Sequence, residues 1–203
     1  MINRNNVSAM IQSLLLIVVS STVPAFGVVG LWLISTNLDA IYTNLWGKVV
    51  YLVTVLVGVW FLNQDKTKTH IKLKIQSYKS EWARAIFFIL LSCCVFGTFS
   101  KETLFRVLIL IATYTIVGIS EEILYRGYIL TNLSKAGLNF WIANLLQALL
   151  FAFLGHYGLS LTDNLLYRLP FGLIFGLLSM RSKSVIFLGE LHATYDLIMW
   201  FYF

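Results

Sequence analysis

Two adjacent glutamates, Glu121 and Glu122, followed by Arg126, lie inside a strongly apolar stretch that runs Gly118-Ile119-Ser120-Glu121-Glu122-Ile123-Leu124-Tyr125-Arg126-Gly127. An ionisable side chain at the middle of a bilayer costs about 2.5–3.5 kcal/mol on insertion scales, so three together point to a functional site with partners on other helices. Helical spacing divides their roles. Glu122 and Arg126 stand at i,i+4 with the acid on the N-terminal side, the favourable orientation for an ion pair. Glu121 points about 100° away at 3.6 residues per turn and is left without a local partner. The other ionisable groups inside apolar runs are His156, then Glu190, His192 and Asp196. His192 and Asp196 are again i,i+4 and share a face. Glu190 does not share it, and is expected at the membrane interface.

Burial and a neighbouring imidazole together can tune a carboxylate to act as a general base on water. His156 and His192 are the histidines available to Glu121. Each feature also has a plainer explanation: paired glutamates often cap or solvate a helix end, and a lone histidine on an apolar face is more often a packing residue. Coincidence favours a site. The groups fall on three candidate helices, 35 residues apart from Glu121 to His156 and 36 from His156 to His192. Other intramembrane chemistries lack their residues. The histidines are His70, His156 and His192, so there is no His-Glu-x-x-His helix, and no Gly-x-Ser-x-Gly elbow or pair of intramembrane aspartates on separate helices occurs.

The elements that must position these groups are membrane spans. Of 203 residues, 59% are hydrophobic and 12% charged, about half the charged share of a soluble domain. The fold class expected is all-α, a polytopic transmembrane bundle. A span needs about 20 mostly apolar residues, and the candidates are 9–35, 45–63, 85–99, 103–133, 141–157, 165–180 and 185–203. The third is short and the fourth too long for one perpendicular crossing, so six or seven spans are expected. The amino terminus has a signal-like outline with Val23-Pro24-Ala25, but its apolar run continues to Ile34, which favours an uncleaved span kinked at Pro24. Cys93 and Cys94 are neighbours and imply no disulfide. Residues 1–203 read as a single membrane domain, with N-terminal spans over 1–102 and a site-bearing core over 103–203.

The net charge of +6 reports topology rather than nucleic-acid binding. Lys66, Lys68, Lys72, Lys74, Lys79 and Arg84 make residues 64–84 a basic loop, read as cytoplasmic. Its alternating His70–Ile75 suits either a solvated loop or an interfacial stretch on an anionic leaflet. Alternation from there places eleven of the fifteen Lys and Arg on one side and Lys48, Lys101, Arg106 and Arg168 on the other, with the N-terminus cytoplasmic. Gly172 and Gly176 form a GxxxG spacing, expected to serve internal packing rather than dimerisation.

Glu121-Glu122-x-x-x-Arg126-Gly127, a phenylalanine-containing helix ending near His156, and His192-x-x-x-Asp196 resemble, in this order and spacing, the three motifs of the CPBP family. This is the CAAX-protease and bacteriocin-processing group, also called Abi, of intramembrane endopeptidases. The resemblance spans about 103–203. It implies that Glu121 and His156 activate the attacking water, that His192 and Asp196 position groups or stabilise the oxyanion, and that Glu122 and Arg126 support the site. It also implies a membrane-associated protein or peptide substrate and a bacterial plasma-membrane location. Relatives are described as metal-independent or as metalloproteases. No cofactor is favoured here, while zinc or another divalent metal on Glu121, His156 and His192 would be chemically sensible. Two departures stand out. Ala152 occupies the position four before His156 where the family has phenylalanine, with Phe151 and Phe153 beside it. Asp196 stands where asparagine is usual, and an ionised aspartate cannot donate to an oxyanion. Two other readings remain open: a non-catalytic immunity or scaffold protein of the same family, and a proton- or cation-coupled transporter.

Overall fold

The structure, a computed structural model, describes residues 4–34, 39–63, 80, 83–84, 86–88, 90–92, 103–182 and 184–202, with the side chains of 4–6, 32, 34, 201 and 202 excepted. Most of the basic loop 64–84, both cysteines and most of the expected span 85–99 therefore lie outside the described residues. Among the described residues every regular element is helical. They are α1 (Arg4–Ile34), α2 (Ala40–Leu62), α3 (Leu104–Lys135), α4 (Phe140–Gly155), α5 (161–181) and α6 (Val185–Tyr202).

Length and composition allow three of these to cross a bilayer, over Val7–Leu31, Ala40–Leu62 and Leu104–Lys135. Large apolar side chains on α1 and α2, among them Phe26, Leu33, Trp60 and Phe61, point outward. On a water-soluble chain such faces would drive association; facing acyl chains they are the favourable solution, because each helix satisfies its own backbone hydrogen bonds. The chain is an integral membrane helical bundle. Pro24 sits within α1 without ending it.

Polar ties fix how the helices run. Asp39 caps α2 by accepting from the Ile41 amide, and it takes an ion pair from Arg106 at the start of α3, 2.9 Å away. These two interactions hold its exposed carboxyl below the usual carboxylate range. At the other end Asn132 donates to the Ala9 carbonyl of α1 at 3.3 Å. Hence α2 and α3 run in the same direction and α1 runs against both, the order that alternation gives when the expected span 85–99 separates α2 from α3.

α3 packs most extensively on α6, through backbone-to-backbone contact at two glycines. A Cβ on Gly189 would stand 2.6 Å from Ile119 Cα and 2.8 Å from Ile119 N, while one on Gly118 would meet the Gly189 carbonyl. Small residues permit this approach, and it brings Glu121 and Glu122 against His192 one turn along. The GxxxG pair serves the same end between α4 and α5: Gly172 lies against Ala148 and Phe151, and Gly176 against Asn144 and Gln147. It is an internal packing face.

Three helices change pitch along their length. Ile123–Leu130 in α3, Leu150–Gly155 in α4 and Asn164–Arg168 in α5 are wound as π-helix. Such wide turns are rare and occur frequently at functional sites.

Candidate active site

The Glu122–Arg126 pair forms as its spacing predicts. Arg126 Nη1 donates to Glu122 Oε1 at 2.7 Å, and both side chains are fully buried. Arg126 also donates from Nη2 to the Gly172 carbonyl at 3.3 Å, and its guanidinium lies over the Phe151 ring at 4.8 Å. Glu122 has a second duty that its sequence position did not reveal: its Oε1 lies 3.0 Å from His192 Nδ1. A carboxylate held ionised by arginine only accepts, so His192 carries a proton on Nδ1 and aims Nε2 the other way.

That Nε2 faces two carboxylates, with Glu121 Oε2 at 3.6 Å and Asp196 Oδ2 at 3.5 Å. Both Glu121 Oε2 and His192 Nε2 are buried and have no hydrogen-bond partner among the described residues. Asp196 is anchored from its other oxygen, Oδ1, by Arg168 Nη1 at 3.3 Å. This answers the question its substitution for asparagine raises. Paired with Arg168, Asp196 is an acceptor that holds His192 and Arg168, not a donor to an oxyanion.

His156 ends α4, and its Nδ1 lies 2.9 Å from the Phe151 carbonyl. A carbonyl only accepts, so Nδ1 bears a proton, and in the neutral imidazole Nε2 then presents a lone pair. Its own carbonyl accepts from Asn164 Nδ2 at 3.2 Å. The helix that carries it is only 16 residues long, about 24 Å at 1.5 Å per residue, so it stops at the level of the glutamates instead of crossing fully. The π turn also resolves the absent phenylalanine. With i→i+5 winding across Leu150–Gly155, Phe151, five residues back, takes the place that a residue four back has in an α-helix. Its ring sits 4.6 Å from the His156 ring, and its carbonyl holds Nδ1.

Glu121, His156, Asp196 and Arg168 line one cavity of about 410 Å³. Glu121 and Gly155 also line a second, larger one of about 770 Å³, which α1 and α2 wall with Pro24, Val28 and Tyr51. Glu121 thus stands where a polar pocket meets a mainly apolar groove.

Sequence reasoning missed several contributors. Arg168 looked like a loop cation, yet it fixes Asp196. Gln147 bonds the Gly172 carbonyl and Asn144 Oδ1, both at 2.8 Å, and Asn144 bonds the Leu173 carbonyl, clamping α4 to α5. Their polarity within an apolar helix was the available signal. Glu190 has a burial that spacing did not foretell. It is buried against the protein at 3% exposure, which a residue expected only to meet the membrane interface does not require. Among the described residues no group of three or more His, Cys, Asp or Glu side chains is arranged to hold a metal ion. As placed, Glu121, His156 and His192 do not form a three-ligand site.

Residues 103–198, a little under half of the chain, match the family model described as Rce1-like, type II CAAX prenyl endopeptidase Rce1-like. Over that stretch the chain resembles the Rce1-like domains of the CPBP family. The match supports an intramembrane endopeptidase at the level of the family. No curated protein and no solved structure matches the chain.

Proposed function

We propose that the protein is an intramembrane endopeptidase that hydrolyses a peptide bond in a membrane-associated protein or peptide, using a water activated by Glu121 and His156. The observation that carries this is the pairing of two unsatisfied buried atoms, Glu121 Oε2 and His192 Nε2, separated by 3.6 Å beside the cavity that His156 also lines. A water beside the pair, on the cavity side, would meet both atoms.

The reaction needs only groups already placed. Water donates a proton to the Glu121 carboxylate, with the His156 Nε2 lone pair as the second acceptor, while its oxygen attacks the scissile carbonyl carbon. Negative charge develops on the carbonyl oxygen, and protonated His192 donates to it from Nε2. Asp196 and Glu122 hold that imidazole on either side. With His192 protonated, Glu121, Glu122 and Asp196 are matched by Arg126, Arg168 and His192, and Lys48 on the cavity wall adds one positive charge to that balanced set. The proton held by Glu121 then passes to the leaving nitrogen as the C–N bond breaks.

Glu121→Gln and His156→Ala test this with a membrane-tethered reporter. Both should abolish cleavage while the protein stays folded. Retained biological activity in both variants would sink the enzyme reading, and loss of an ion-dependent uptake in them would support a transporter instead. Metal analysis of the purified chain, with activity measured before and after chelation, tests the metal-independent form proposed here.

A further inference from the structure

We propose that Lys48 is the anchor for a carboxylate on the substrate, placed at the junction of the catalytic pocket and the apolar groove. The inference rests on the proteolytic reading for what the carboxylate belongs to, and on geometry for the subsite itself. Lys48 lies eight residues into α2, about 12 Å from its first residue. A lysine within a span is rare and as a rule faces the bundle interior or a water-filled cavity, so a role in the bundle is the expectation. Its surroundings are specific. Lys48 lines both the 410 Å³ pocket and the 770 Å³ groove, and the residues the two have in common with it are Asn44, Glu121 and Gly155.

The other cations of the site are already matched. Arg126 is held by Glu122 and Arg168 by Asp196. Among the described residues Lys48 makes no ion pair within 4 Å and no side-chain hydrogen bond, and the carboxylate that shares both cavities with it is Glu121. It lies outside the 103–198 match, so nothing carried by the family model assigns it a role. An ammonium is a compact donor with three N–H groups, and in a partly dehydrated cavity a carboxylate is its complementary ligand. Glu121 shares the cavity wall, so a substrate whose carboxylate sat on Lys48 would have its adjoining peptide bonds held close to the attacking water. Lysine, not the glutamate, would thereby set the register of the cut.

The test uses the full chain in bicelles and three fluorescently labelled probes built on the tripeptide Ala-Leu-Leu. One has a free terminal carboxylate, one a terminal amide, and one a terminal amide preceded by an added aspartate. A charge-assisted hydrogen bond predicts that a carboxylate probe binds about ten- to a hundredfold more tightly than the plain amide. Lys48→Met should erase that preference and Lys48→Arg should keep it, with unfolding temperatures showing both variants folded. Tight binding of the free acid supports a terminal carboxylate, and tight binding of the aspartyl amide supports a side-chain carboxylate. Equal binding of all three by the unaltered protein, or a preference that survives Lys48→Met, would overturn the inference. Cleavage is scored separately, so a Lys48-dependent preference without cleavage would leave the subsite standing and remove the protease reading.

Discussion

Gly189→Ala is the substitution that tests how the helix crossing makes the site. The new methyl would stand 2.6 Å from Ile119 Cα and 2.8 Å from Ile119 N, where ordinary contacts are 3.4–4 Å. These are backbone atoms, which cannot swing aside as a side chain can. α3 and α6 must therefore part by about 1 Å. His192 follows one turn later on α6, so its 3.0 Å bond to Glu122 would lengthen to about 4 Å and cease to be a hydrogen bond. Overpacking of this kind lowers stability by about 1–3 kcal/mol, and a misplacement of about 1 Å reduces turnover by about a hundredfold. The assay is cleavage of a membrane-tethered reporter in proteoliposomes, with thermal unfolding measured on the same preparation. Gly158→Ala is the control, because a Cβ there meets nothing within 4 Å. Wild-type cleavage and unfolding temperature in Gly189→Ala would refute the claim that this crossing positions His192.

Three further outcomes follow from the packing. Arg126→Leu leaves Glu122 buried and unpaired, and should lower stability by about 3–5 kcal/mol in thermal unfolding, while adding Glu122→Gln should recover part of that loss. Phe151→Ala removes a fully buried ring that touches Tyr125, His156, Phe171 and His192; it should cost about 3–5 kcal/mol and lower turnover more than substrate affinity. Glu190→Leu replaces a buried carboxyl that makes no hydrogen bond or ion pair among the described residues, so it should be neutral or stabilising in unfolding and leave cleavage unchanged.

Local spacing carried much of the site. The i,i+4 rule found Glu122 with Arg126 and His192 with Asp196, because one turn of helix suffices to bring each pair together. The long apolar runs likewise disclosed the bundle. What spacing could not disclose were contacts made across helices and departures from 3.6-residue winding. Glu122 reaches His192 only because Gly118 and Gly189 let two backbones touch, and Arg168 finds Asp196 across 28 residues. The π turns are invisible to a periodicity argument, so Ala152 looked like a defect when Phe151 had been moved into its place. The burial of Glu190 was hidden for a related reason: spacing shows that it does not share a face with His192, but not that a helix inside a bundle buries more than one side.

The most direct test of the central claim is the cleavage rate of Glu121→Gln against the unaltered chain, at equal folded amounts in the same lipid. Glutamine keeps the shape and hydrogen-bonding reach of the side chain but cannot take a proton from water. A lost general base predicts a fall of about a hundred- to ten-thousandfold, with the unfolding temperature little changed. A rate within threefold of the unaltered chain would contradict the assignment of Glu121 as the group that activates the water.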